Sequence, residues 1–300
     1  MDPPNVLWFA GTYAVAAGSY ALLGALPESH SSVWIFVAAL ALLLVYSAAS
    51  HGLLRRGWWV PGGLAAALTV AMVPAVIVGF LRLIDVWSND LPITDFNGYA
   101  LAGAIVTAVA GLIAYGLTRF SFLFFTVVTA ILVAAQFLAA AEGSPSGEDR
   151  ATAALAAGGL IVIAGVFLDV FGRRRDAFWF HALGWFSVAA GLVFLIVEPG
   201  GNPDRGWIPM LIVGTLMVIA AGPIRRATWA VYGVLGYYAP LLHYMDTGLN
   251  QNGWVFAVAL LAVGLSIFVF GMLTHRFGGS WGQRFVRRPP PLSDYSSSSL

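Results

Sequence analysis

Residues 33–56 read VWIFVAALALLLVYSAASHGLLRR. From Val33 to Leu54 the run is mostly Ala, Leu and Val, with Tyr46, Ser47, Ser50 and His51 as its polar interruptions. About 20 apolar residues in a helix cross the roughly 30 Å of bilayer hydrocarbon, so this stretch predicts a membrane span. It ends in Gly52 and then meets Arg55 and Arg56, and the same ending recurs. Gly116 to Arg119, Gly172 to Arg175, Gly222 to Arg226 and Gly271 to Arg276 close four further apolar runs in the same way.

Composition agrees. Hydrophobic residues make up 59% of the 300, charged residues only 10%, and mean hydropathy is +0.83. Soluble domains carry about 25% charged residues, which excludes a water-soluble reading. Cys is absent, so disulfides, thiolate metal sites and thiol catalysis are excluded. Every basic residue is Arg, which removes a catalytic or Schiff-base lysine.

Working outward, the hydropathy predicts an all-α, polytopic bundle of about ten transmembrane helices. The spans are 6–26, 33–54, 58–87, 98–118, 120–141, 151–172, 177–197, 207–223, 227–246 and 253–274. The first lacks a basic n-region and a small-x-small cleavage site, and reads as a true span, not a signal peptide. Pro74 predicts a kink in the third. The turn Thr118-Arg119-Phe120-Ser121 makes the fourth and fifth an antiparallel hairpin. Residues 1–275 form the transmembrane domain. Residues 276–300 form a basic, then Pro/Ser-rich tail whose Arg284, Arg287 and Arg288 could meet anionic lipid headgroups; its end reads as disordered.

Arginine predicts the orientation. Arg55, Arg56, Arg119, Arg173, Arg174, Arg175, Arg225, Arg226, Arg276, Arg284, Arg287 and Arg288 fall on one side. Arg82, Arg150 and Arg205 fall on the other, with ten of the 14 acids. The positive-inside rule makes the arginine side and both termini cytoplasmic, in the plasma membrane of a bacterium or archaeon. Nine of 11 Trp fall at predicted helix ends, where an amphipathic indole sits best. The Gly-Arg stations recur every 49 to 64 residues, which suggests a two-helix repeat. Helix-ending glycine and cytoplasmic arginine produce most of that pattern without duplication.

Polar groups at membrane depth are the candidates for function. Arg82 and Asp85, three apart near the non-arginine end of the third span, can pair with each other or line a cavity. Gln136 is the deepest amide and should bond across to another helix. His243 and Asp246 share a face at i, i+3 with Pro240 just inward, an arrangement suited either to proton uptake or to an interfacial belt. Asp169, one turn before Arg173, is expected to pair with it. His51, His181 and His275 share a membrane level without a sign that they face one another. No cofactor or metal is implied. Small residues on the fourth span (Gly103, Thr107, Gly111) and the sixth (Gly158, Gly165) read as packing stripes.

The sequence predicts no enzyme: HExxH, paired intramembrane aspartates and phosphate-binding glycine loops are absent, as are nucleic-acid features. The leading expectation is a transporter of a small solute or ion, with Arg82, Asp85, Gln136, His243 and Asp246 lining a cavity open to the outside. The alternative is a non-transporting membrane scaffold, assembly factor or sensor subunit, favoured by the lack of charge near the bilayer centre.

Overall fold

The computed structural model describes residues 3–25, 31–86, 98–141, 145–198, 200–224 and 226–249, with eight further positions between Val258 and Met272. Across these residues the chain is helical, with no strand. The helices are α1 (Pro3–Gly24), α2 (Ser31–Arg55), α3 (Trp59–Leu83), α4 (Gly98–Thr118), α5 (Leu123–Ala139), α6 (Gly147–Val170), α7 (Arg174–Val197), α8 (Asp204–Ile224) and α9 (Ala227–Leu249). Six of them, α2, α3, α4, α6, α7 and α8, are long and apolar enough to cross a membrane. At 17 residues α5 is shorter, although apolar. Tyrosine and glycine dilute α1 and α9. The predicted tenth span and the tail lie outside the described residues, apart from those eight positions, which are helical.

The chain divides into two compact units, residues 1–206 and 207–300. In the first, α2 packs on α3, α4 on α5 and α6 on α7 as sequential hairpins, with α1 against α3 and α5 against α6 and α7. The α4–α5 turn is the predicted one, and Arg119 takes a left-handed φ of 55° within it. Just beyond, Phe122 anchors an aromatic node. Its ring meets Phe9 of α1 at 5.3 Å and Trp179 of α7 at 5.0 Å, both edge-on, and stacks on Phe125. In the second unit the backbone of α8 at Gly214 lies against that of α9 at Gly236, where a Cβ would overlap the facing chain.

Several boundaries differ from the sequence reading by two to four residues, and three of them bear on the candidate residues and their packing. Helix α3 stops at Leu83, short of the predicted residue 87, and Asp85 follows with φ 55°. Helix α6 starts at Gly147, four residues before the predicted 151, because Ser146 caps it. The Ser146 hydroxyl accepts from the Asp149 amide at 3.2 Å while the Asp149 carboxylate accepts from the Ser146 amide at 2.9 Å. This reciprocal box satisfies two end donors. Helix α7 begins at Arg174, three residues before the predicted 177.

The α6–α7 pair is closely packed along much of its length. A Cβ on Gly158 would stand 2.8 Å from the Gly184 carbonyl oxygen, and one on Gly184 3.0 Å from that of Gly158. Gly191 likewise lies against the Ala151 carbonyl. Ser187 donates to the Ala154 carbonyl across the same seam at 2.8 Å. Lipid gives no hydrophobic drive between helices, so close backbone approach and interhelical hydrogen bonds supply the association.

Candidate functional site

Gly172, at φ 78°, turns the chain between α6 and α7. This turn lies between two carboxylates, Asp169 and Asp176, that keep different company. Asp176, in the first turn of α7, is only 7% exposed. A carboxylate this buried is costly without partners, and it has two. Arg173 reaches its Oδ2 with Nε at 2.9 Å and Nη2 at 2.8 Å, and the Tyr115 hydroxyl of α4 donates to the same oxygen at 2.8 Å. Arg173 Nη2 also donates to the Tyr115 hydroxyl at 2.6 Å, and its guanidinium lies over the Tyr115 and Phe124 rings. Hydrogen bonding to Asp176 holds Arg173 above even arginine's usual pKa, so the clasp keeps its cation.

Asp169, near the end of α6, meets His181 of α7, Nε2 to Oδ2, at 2.9 Å. The His181 side chain is fully buried and that of Asp169 is 16% exposed. Glycine at 165 makes the room: a Cβ there would stand 3.1 Å from the imidazole Cε1 and 3.2 Å from Nδ1. The expected Asp169–Arg173 pair is therefore replaced by two others, Asp169–His181 and Arg173–Asp176. Chemically, the buried couple can hold one proton between α6 and α7, and the Tyr115 clasp ties α4 to the start of α7.

The residues predicted to line one cavity lie on α3 and just past it, on α5 and on α9. Arg82, in the last turn of α3, is partly buried, with its Nε enclosed and unpartnered. Asp85 is exposed outside the helix, and no ion pair joins the two. Gln136 of α5 donates to the Arg150 carbonyl of α6 at 3.4 Å, the expected bond to another helix. His243 of α9 stacks on Trp207 of α8, centroids 4.5 Å apart. The side chain of Asp246 lies outside the described residues, as does His275. His51 is exposed. Among the described residues no group of three His, Cys, Asp or Glu side chains could hold a metal.

Two cavities open in the first unit. One, about 490 Å³, lies between α1, α3, α4 and α5, and no charged residue lines it. The other, about 840 Å³, runs between α5 and α6 along Ala135, Ala139, Ala153 and Ala156, with Asp149 at its end. Neither is lined by Arg82, Asp85 or Gln136.

No protein-family model, curated protein or solved structure matches the chain.

Proposed function

We propose that this chain is a non-transporting, multi-pass membrane component, a scaffold or sensor subunit. One observation carries the reading. The buried acids Asp176 and Asp169 are engaged across helices, with Tyr115 and Arg173 and with His181, while the cavities are lined by other, mainly apolar side chains. A coupled transporter instead places its binding groups around a midplane site. Arginine distribution supports ten spans with both termini cytoplasmic, in the plasma membrane of a bacterium or archaeon.

One observation favours the transport reading. The Arg82 Nε is enclosed and unpartnered at the end of a membrane helix, where an anion would satisfy it. A thermal-shift screen of purified protein against ions and metabolites, repeated with Arg82→Ala and followed by an uptake assay, separates the two. The scaffold reading expects no ligand-specific stabilisation. A shift given by one soluble ligand and abolished by Arg82→Ala rules out a pure scaffold, and uptake of that ligand into proteoliposomes then overturns the non-transporting reading, whereas binding without uptake leaves a sensor.

A further inference from the structure

The cavity between α1, α3, α4 and α5 is long in the direction a lipid chain takes. On α4 its lining runs from Tyr99, the second residue of the helix, through Gly103 to Thr107. Eight residues at 1.5 Å each make this about 12 Å, from the helix end toward the middle of the bilayer. On α5 the lining extends from Phe137 back to Phe125, about 18 Å by the same rise.

Its walls offer little to a polar guest. Thr107 donates its hydroxyl to the Gly103 carbonyl at 2.7 Å, and Thr126 donates to that of Leu123 at 2.7 Å. Tyr20 donates to the Ala71 carbonyl of α3. These hydroxyls are turned to backbone carbonyls. Water is disfavoured, because apolar cavities stay dry. Tyr99, half exposed, is the second residue of α4 and follows the connection that carries Asp90 and Asp95, whereas Tyr20 reaches Ala71, midway along α3. Tyrosine at the level of Tyr99 belongs beside lipid headgroups.

We infer that this cavity holds one acyl chain of a bilayer phospholipid, its headgroup beside Tyr99 and its chain running past Gly103 toward Thr107. The inference rests on the cavity and is independent of the scaffold reading.

The test reconstitutes the whole chain in phosphatidylethanolamine–phosphatidylglycerol vesicles containing a phosphatidylglycerol with a diazirine in its acyl chain. After irradiation, labelled residues are mapped by mass spectrometry. Labelling is expected to be severalfold denser at Ala71, Ile77, Thr107 and Val133 than at the exposed positions Leu44, Ile113 and Leu216. Gly103→Leu, whose side chain enters the cavity, and Val133→Phe at its exposed side should each remove the excess. Should Gly103→Leu fail to fold, Val133→Phe and the wild-type map decide. Even labelling of all lipid-facing positions, or an excess that a folded cavity-filling variant leaves intact, overturns the inference.

Discussion

His181 Nε2 and Asp169 Oδ2 stand 2.9 Å apart across the α6–α7 seam, with the imidazole wholly buried against Gly165. Two features meet there: side chains of α7 packed close on the Cα of Gly165, where a Cβ would stand 3.0 to 3.2 Å from Phe180 and His181, and a polar contact between the same two helices.

Truncating the imidazole takes this partner from a mostly buried carboxylate. His181→Ala should destabilise the protein by about 3 kcal/mol, the scale for breaking a buried pair. Unfolding in a denaturing-detergent titration measures it. A loss no larger than that of an exposed-residue control such as His51→Ala would contradict the role assigned to the couple.

Removing the Tyr115 hydroxyl leaves the ring but opens the clasp on Arg173 and Asp176. Tyr115→Phe should cost about 1 kcal/mol, a typical net hydrogen-bond contribution. In a double-mutant cycle with Asp176→Ala the two losses should fall short of additive, because both remove the same bond. Full additivity would mean that the 2.8 Å contact contributes nothing.

Gly184→Val forces a side chain into the space occupied by the Gly158 carbonyl and Val162. Overpacking of this kind costs about 3 kcal/mol. Gly159→Val, one residue from Gly158 and facing open space, is the control. It should stay within about 0.5 kcal/mol of wild type. Equal losses in the two variants would show that helix propensity, and not the seam, sets the response.

Ser146→Ala removes the cap at the start of α6 and should lower stability by about 1 kcal/mol. Hydrogen exchange localises the effect: amides of 147–150 should exchange faster while those near Gly184 stay protected. Uniform acceleration along α6 would point to global loosening instead.

The helical hairpins were legible in the sequence because each apolar run is bounded by Gly, Pro or charge, and the α4–α5 turn leaves no other arrangement. What stayed hidden depended on where helices break. The i, i+4 spacing of Asp169 and Arg173 implies one face only if the helix continues through both. The turn at Gly172 instead makes Arg173 the residue that precedes α7, where it reaches Asp176. His181 read as an end residue because the predicted helix began at 177; a start at Arg174 sets it two turns inside. The Ser146-Gly147-Glu148-Asp149 cap was written in the sequence as a capping box, and apolar windows alone pass over it. Among the described candidate residues, Gln136 shows the kind of contact expected of it. Arg82 and Asp85, at the end of α3 and just past it, make no ion pair, because depth along a helix, which hydropathy estimates, says nothing of the direction a side chain faces.

The turn between α6 and α7 also bears on biogenesis. Only Phe171, Gly172 and Arg173 separate the two helices, so little loop-closure entropy opposes their meeting. Contacts this local form quickly. The pair can therefore close as a unit once both helices are in the bilayer, before the rest of the chain has been synthesised. A nascent chain halted after Val197 should already resist protease within this hairpin, and Gly184→Val should abolish that early resistance.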